Sequence, residues 1–190
     1  MKRKKIKIII ILTLILFFPF VGIFTIHQLL EHPDYWKKTI AFFKGARYLG
    51  EDGIILQKHS HDCGPAALKM VFDYFKIPVT LEEISENVLW EKGSSMLSLK
   101  KMAELKGLKA EGWRYAFKDL KKIKIPAIVF VGGDHFVVIS KITEDGKITI
   151  LDPAIGKLKY SSWRFRRIWE GETLIFKTSK QSAVISEKKN

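Results

Sequence analysis

The chain has 190 residues, the size of one domain with an added segment, because domains commonly run to about 100–150 residues. A hydrophobic fraction of 47% and a charged fraction of 28% exclude a chain that is disordered throughout and a protein with many membrane spans. The net charge of +13 lies mostly at the two ends, whereas a nucleic-acid binder concentrates basic charge on its folded part. The single cysteine, Cys63, excludes an internal disulfide and a multi-cysteine zinc site.

The amino terminus combines a basic tip, residues 1–7, with an apolar stretch, residues 8–27. A stretch of this length can cross a hydrocarbon core of about 30 Å. A cleaved signal peptide is the alternative, but its apolar region spans only about 7–15 residues and ends in small residues, which Ile26-His27-Gln28 does not provide. We predict an uncleaved transmembrane signal-anchor helix, with the tip in the cytoplasm and the following domain outside it, at a bacterial cell membrane.

Residues 28–50 form the next segment, in which Pro33 to Gly50 has the apolar spacing of an amphipathic helix. Such a helix could lie in the lipid headgroup region with its aromatic side chains inserted. It could equally fold back onto the domain that follows. Both arrangements require the same pattern, so the sequence leaves them open.

Residues 51–177 are predicted to form one α+β domain, followed by a basic flexible tail, 178–190. The first half has helical periodicity, with Asp62 and Thr80 placed to cap two of the helices. The second half has short β-branched runs joined by glycine-containing turns. This order predicts helices that pack on an antiparallel meander. The predicted helices are 63–75, 80–90 and 98–106, and the predicted strands are 127–131, 135–139, 147–151 and 174–176.

Cys63 begins the first helix of this domain and is followed by Gly64 and Pro65. The positive end of a helix dipole stabilises a thiolate over a thiol. Gly64 leaves no side chain to block an approaching carbonyl, and proline at the first turn costs no hydrogen bond. A structural cysteine would more naturally lie on the apolar stripe in mid-helix. The position therefore favours a nucleophile over inert packing.

His135 begins an apolar strand, and Asp152 ends the next one. Antiparallel strands joined by the turn at 144–146 could bring these two ends side by side. A carboxylate beside an imidazole fixes its tautomer and stabilises the imidazolium that a cysteine nucleophile requires. The alternatives are a core histidine bonded to backbone and a turn carboxylate before proline.

His59, His61 and Cys63 are potential metal ligands at alternate positions. A closed zinc site normally has four ligands, and no second cluster supplies the missing one. We therefore predict no metal and no cofactor, and we interpret both histidines as loop residues near the cleft.

Several short motifs occur in a fixed order along residues 52–177. The motifs are Gln57 six residues before Cys63-Gly64-Pro65-Ala66-Ala67, then Gly93-Ser94-Ser95, His135-Phe136-Val137-Val138, Asp152-Pro153-Ala154-Ile155-Gly156 and Trp169-Glu170-Gly171. In this order they resemble the bacteriocin-processing endopeptidases, cysteine peptidase family 39. Members of this family are papain-like domains at the front of ABC exporters, and they cut leader peptides after a double glycine.

The resemblance implies a papain-like fold and a role for each matched residue. Cys63 matches the nucleophile, His135 the general base and acid, and Asp152 the residue that orients it. Gln57 matches the glutamine whose amide joins the Cys63 backbone N–H in the oxyanion hole, a type of donor worth about 10²–10³ in rate. The implied partners are a peptide or precursor-protein substrate and an ABC exporter, with no nucleic acid.

The sequence also departs from this family. Exporter domains meet their leaders in the cytosol, whereas the basic tip here favours the far side of the membrane. Lys76 stands where a glycine commonly ends the first helix. We predict a membrane-anchored cysteine endopeptidase that acts through a Cys63 thioester. The alternatives are a peptidase-like domain that binds a leader or other peptide without cutting it, and acyl transfer or amide hydrolysis on a non-peptide substrate.

Overall fold

The computed structural model describes residues 2–32, 34–90 and 93–178. The chain divides into two units, Met1–Ile40 and Ala41–Asn190. The first unit contains α1 (Lys2–Glu31) and the start of α2 (Tyr35–Phe43). Within the described residues, no helix combines the length and hydropathy needed to cross a bilayer. The transmembrane helix predicted over 8–27 is therefore not supported, and one continuous α1 runs through both the basic tip and the apolar stretch.

The described residues of the second unit form a seven-stranded, fully antiparallel sheet with the order β1-β6-β5-β4-β3-β7-β2. Strands β3 to β5 form the predicted meander, β6 continues it without having been predicted, and β7 returns to pair with β3. The strands are β1 (Ala46–Tyr48), β2 (Leu108–Arg114), β3 (Ala127–Val131), β4 (His135–Ile142), β5 (Ile148–Asp152), β6 (Gly156–Tyr160) and β7 (Trp169–Thr178).

Helices cover both faces of this sheet. On one face, α3 (Cys63–Tyr74), α4 (Leu81–Val88) and α5 (Met96–Leu105) enclose a core that includes Ile128 and Val138. On the other face, the 3-10 helix Phe117–Lys122 and the one-turn helix α6 (Ser162–Phe165) enclose a second core. Strands buried on both faces have continuous apolar runs, which explains the sequence of β3 and β4. The predicted α+β class and antiparallel sheet are confirmed.

The helix ends show where local chemistry acted as predicted and where it did not. Thr80 Oγ1 accepts a hydrogen bond from the Glu83 backbone N–H at 3.1 Å, as expected of a cap. Asp62 makes no side-chain cap bond on α3. Its carboxylate instead accepts from the His59 backbone N–H at 3.0 Å, so the predicted Asp62 cap is wrong.

The helix predicted over 33–50 is too long. α2 ends at Phe43, and Gly45 then adopts a φ of +72° that takes the chain out of the helix. The next residues form β1, which pairs with β6. Pro33 itself lies outside the described residues.

Candidate active site

Cys63 lies at the first position of α3, and its side chain is 5% exposed. α3 packs on β4, so the thiol faces the strand that begins with His135. Gly64 has a structural reason besides the access for a substrate carbonyl that we predict. A Cβ at this position would overlap Ser94 Oγ and lie 2.9 Å from Ser94 Cβ. Close packing against the loop before α5 therefore requires the glycine here.

His135 and Asp152 are brought together by the pairing of β4 with β5. His135 Nε2 lies 2.8 Å from Asp152 Oδ1, and the carboxylate is almost completely buried. The same oxygen accepts a hydrogen bond from the Ala154 backbone N–H at 2.8 Å, which holds the carboxylate in place. Because Nε2 faces Asp152, the hydrogen bond between His135 and Cys63 uses the other ring nitrogen, Nδ1.

The electrostatics of these three groups favour charge separation. Burial alone would lower the pKa of His135, but its hydrogen bonds and attraction to Asp152 and Cys63 raise that pKa to about 9. Burial would raise the pKa of the Cys63 thiol. The hydrogen bond to His135, a backbone hydrogen bond from Phe136 and the imidazolium charge outweigh burial and lower it. The site therefore supports a thiolate–imidazolium pair.

The pKa of Asp152 is lowered despite burial, which acts in the opposite direction. The hydrogen bond and charge of His135 are the main cause, and the Ala154 N–H and the Lys44 charge add to it. The carboxylate therefore stays ionised and acts as the fixed counter-charge of the imidazolium.

Gln57 lies at the mouth of the same site, in one cavity with His135 and Asp152. Its backbone N–H donates to the Pro153 carbonyl at 2.9 Å, which ties it to the turn after β5. Its Nε2 donates to the His59 carbonyl at 2.9 Å, and its buried Oε1 has no partner among the described residues. The amide is thus beside the site, with one N–H engaged locally and the second N–H left for another acceptor.

His59 and His61 stack on each other with ring centroids 5.8 Å apart. Both are exposed loop residues before α3. In the described ranges, no three His, Cys, Asp or Glu side chains are grouped as metal ligands. The two histidines and Cys63 are therefore not gathered around a common point.

Two cavities of the catalytic unit are lined by His135 itself or by its neighbour in sequence, Phe136. The first, which we call the apolar cavity, has about 450 Å³ and is lined by Phe130 and Phe136, with Ser94 and Trp113 at its sides. The second, the polar cavity, has about 400 Å³ and contains Gln57, His135 and Asp152. Sequence reasoning gave Ser94 only as part of the motif Gly93-Ser94-Ser95, without a role, and it missed Trp113. The Gly64 contact places Ser94 here, and the β2–β7 pairing places Trp113.

The sequence profile of the peptidase C39 family matches residues 51–181. An uncharacterized protein of Methanothermobacter thermautotrophicus is 34% identical over 128 residues, which are 67% of this chain and 89% of that protein. The probable functional amyloid protease FapD of Pseudomonas aeruginosa is 31% identical over 130 residues, 62% of this chain and 57% of that protein.

A solved structure gives the same fold. It is a double-glycine motif protease from an AMS/PCAT transporter in complex with the leader peptide, and it superposes with a TM-score of 0.64. The two chains are 36% identical, and the match covers 66% of this chain and 91% of that one. This fold, the matched profile and the relatives agree with the family that the sequence motifs indicated. The chain belongs to the peptidase C39 family and is a cysteine peptidase.

Proposed function

We propose that this protein is an endopeptidase that cuts a leader or precursor peptide by acyl transfer through Cys63. The observation that carries the proposal is the hydrogen-bonded series Cys63–His135–Asp152, in which the thiol pKa is lowered and the imidazole pKa is raised. A domain that only binds peptide has no need of this charge separation.

The proposed mechanism has two half-reactions, formation of a thioester on Cys63 and its hydrolysis. The Cys63 thiolate attacks the scissile carbonyl, and the oxyanion that forms accepts from the Cys63 backbone N–H and from the second N–H of Gln57. His135, as imidazolium, gives its proton to the leaving amine as the carbon–nitrogen bond breaks, which leaves a thioester. Neutral His135 then takes a proton from water, whose oxygen attacks the thioester and releases the acid and the thiolate. Asp152 keeps Nδ1 aimed at sulfur throughout.

The apolar cavity is the part of the surface suited to a leader. Its aromatic walls, Phe130 and Phe136, have ring centroids 4.8 Å apart and would take apolar side chains of the peptide. The solved relative holds a leader peptide and comes from an AMS/PCAT transporter. We therefore propose a leader or precursor peptide as the substrate and an ABC exporter as the partner that receives the product.

The test is cleavage of synthetic leader peptides with and without a double glycine at the predicted site, read by mass spectrometry. The wild-type chain should release two fragments, and Cys63→Ala should bind the same peptide without cutting it. Saturable binding by the wild type with no fragments after prolonged incubation would contradict the peptidase proposal and favour a binding domain.

We also propose that the chain is held at a bacterial cell membrane with residues 51–177 outside the cytoplasm. Support comes from the five cations of residues 1–7 and from α1 side chains such as Leu16 and Phe20, which are 73% and 70% exposed. A reporter fused after Asn190 tests this: alkaline phosphatase should be active and green fluorescent protein dark. The opposite result would place the domain in the cytosol.

A further inference from the structure

One edge of the catalytic unit carries cations for which the described residues provide no salt bridge within 4 Å. Residues 41–50 and 153–169 contain seven Lys or Arg and no Asp or Glu. The antiparallel pairing of β1 with β6 brings these two acid-free segments together. We call their unpaired cations the basic edge: Lys44, Arg47, Lys159, Arg166 and Arg167.

The register between β1 and β6 places two cations of the basic edge close together. Arg47 lies directly opposite Lys159, so both side chains project from the same face of the sheet. Like charges in opposite positions of a strand pair are destabilising unless an anion offsets them. The acids next in the chain, Glu51 and Asp52, are engaged by Tyr48 and Lys157. An external anion facing Arg47 and Lys159 would relieve this repulsion.

Large aromatic side chains are exposed beside these cations. Phe42 and Phe43 are 76% and 81% exposed and lie at the end of α2. Trp163 in α6 is 56% exposed, with the Arg164 guanidinium 4.1 Å from its ring centroid. A Cβ at Gly45 would lie 2.8 Å from Arg164 Cδ, so the turn after α2 lies against α6. The aromatic residues and the basic edge therefore form one surface.

We propose that this surface docks the catalytic unit onto an anionic lipid bilayer. Lys and Arg near such a bilayer are attracted to its negative surface potential, and Trp and Phe settle at the headgroup level. A nucleic acid would match the positive charge of this surface but not its exposed phenyl rings. The exposed phenyl rings favour lipid, as does the α1 that precedes them in the sequence and exposes Leu16 and Phe20.

The position of Lys44 links this surface to catalysis. Lys44 belongs to the basic edge and also lines the polar cavity beside Asp152. Docking would therefore hold the mouth of the active site close to the lipid headgroups. The substrate that suits this arrangement is a peptide presented at the bilayer surface.

The test measures contact of Trp163 with lipid in the full chain, using vesicles that carry nitroxide-labelled phosphatidylcholine. Quenching specific to Trp163 is the difference between the wild type and Trp163→Phe. It should appear in vesicles that contain phosphatidylglycerol and not in vesicles of phosphatidylcholine alone. Attachment through α1 would occur on both, so only the lipid-dependent quenching reports docking.

Two triple variants with the same change in charge complete the test. Arg47→Gln/Arg166→Gln/Arg167→Gln should weaken the phosphatidylglycerol-dependent quenching at least tenfold, since each cation contributes about fivefold to partitioning. The second variant, Lys109→Gln/Lys118→Gln/Lys141→Gln, is the control. It changes exposed lysines on other elements and should keep the quenching. Equal quenching in both kinds of vesicle, equal loss in both variants, or displacement of the protein from vesicles by duplex DNA would overturn the proposal.

Discussion

The imidazole of His135 lies between a buried carboxylate and a thiol, and these two contacts decide its charge. Asp152 holds one ring nitrogen at 2.8 Å, and Cys63 engages the other. Each contact stabilises the protonated ring, and the protonated ring in turn stabilises the thiolate. The three side chains therefore act as one unit, so the effects of removing them should not add.

Replacement of Cys63 by alanine should abolish peptide cleavage, a loss of at least about 10³-fold, because no nucleophile remains. His135→Ala should be comparably damaging. Asp152→Asn should cost less, since an amide oxygen can still accept from Nε2. Initial cleavage rates measure these losses, and thermal unfolding of each variant serves as the control for folding. Activity of Cys63→Ala within a few-fold of the wild type would disprove the assignment of the nucleophile.

The rate of cleavage should follow a bell-shaped pH profile set by the coupled pair. As pH rises through about 9, His135 loses its proton and the imidazolium is lost, so kcat/KM should fall. At low pH the rate should fall as the thiolate is protonated, below the ordinary pKa of a cysteine thiol, because His135 lowers the pKa of Cys63. Measurement of kcat/KM against pH checks both limbs.

Two variants separate the causes of that profile. Asp152→Asn should move the alkaline limb to lower pH, because Asp152 is the larger of the two influences that raise the pKa of His135. Tyr160→Phe should leave the profile unchanged. Tyr160 lines the polar cavity together with His135 and Asp152. Burial and the Asp152 charge raise the pKa of Tyr160 to about 12, so its hydroxyl stays protonated. An alkaline limb that does not move in Asp152→Asn would show that Asp152 does not set the charge of His135.

Gly64→Ala should destabilise the protein by about 1–3 kcal/mol, because the new methyl group overlaps Ser94 Oγ. Ser94→Gly on the same chain should restore most of this loss. Ser94→Gly alone should have a small effect, since the buried Ser94 hydroxyl has no hydrogen-bond partner among the described residues. Denaturant unfolding of the two single variants and the double variant measures the coupling. Additive effects would mean that Gly64 and Ser94 do not compete for space.

At the scale of helices and strands, α3 ends in a motif that normally contains glycine. Lys76 has a φ of +58°. The Ile77 backbone N–H reaches the Phe72 carbonyl at 2.9 Å, and the Lys76 N–H reaches that of Asp73 at 3.1 Å. This is the hydrogen-bond pattern of a Schellman cap, in which the left-handed residue is usually glycine because a Cβ is strained there.

Lys76→Gly should therefore stabilise the protein by about 0.5–1 kcal/mol, since relief of strain exceeds the added entropy of the unfolded chain. Lys76→Ala removes the same charge but keeps the Cβ, and it should bring no such gain. Gly107→Ala is the reverse control: Gly107 has a φ of +85° after α5, with no neighbour within 4 Å of a Cβ, so only strain acts. The free energy of unfolding in urea is the measurement. If Lys76→Ala raised the free energy of unfolding as much as Lys76→Gly, the gain would come from removal of the lysine charge and not from relief of strain.

The sequence predicted those elements whose pattern is strong locally. The β-branched run 127–131 coincides with β3, and the helices that bear Cys63 and Thr80 begin within one residue of the expected position. β6 has alternating lysine and apolar residues, Lys157 to Tyr160, a pattern that would have identified it. β1 has only three residues and no alternation. Its pairing with β6 is a long-range contact, so no local pattern identifies it.

The site was predictable to the same degree. Chain order indicated that two strands joined by one turn could bring His135 close to Asp152, but it did not give the irregular register between Ile139 and Lys141. The contact of Ser94 with Gly64 depends on how α5 packs on α3. The orientation of the Gln57 amide depends on a carbonyl two residues away. Neither has a sequence signature, because each is set by tertiary packing.

At the scale of the whole molecule, the catalytic unit extends further toward the amino terminus than the family match. That match begins at residue 51, but Ala41 is fully buried in the second core. β1 covers the edge of β6, and the Leu49 N–H and the Gly50 carbonyl continue its hydrogen bonds to Lys157, each at 2.8 Å. Residues 41–50 are therefore an integral part of this unit.

A fragment of residues 41–190 should fold cooperatively and keep a reactive Cys63, whereas a fragment of residues 51–190 should melt roughly 5–10 °C lower. The reason is the loss of β1 and of the buried Ala41, worth about 2–4 kcal/mol, since each kcal/mol shifts Tm by about 2–4 °C in a domain of this size. Thermal unfolding followed by circular dichroism gives Tm, and the alkylation rate of Cys63 by iodoacetamide near neutral pH reports the active-site geometry.

An intermediate fragment, 45–190, keeps β1 but lacks Ala41, so its Tm separates the contribution of β1 from that of Ala41. Because β1 pairs with β6, which adjoins β5 and its terminal Asp152, the shorter fragment should also alkylate more slowly. Equal melting temperatures for 41–190 and 51–190 would mean that the ten residues before the family match add nothing to the stability of the catalytic unit.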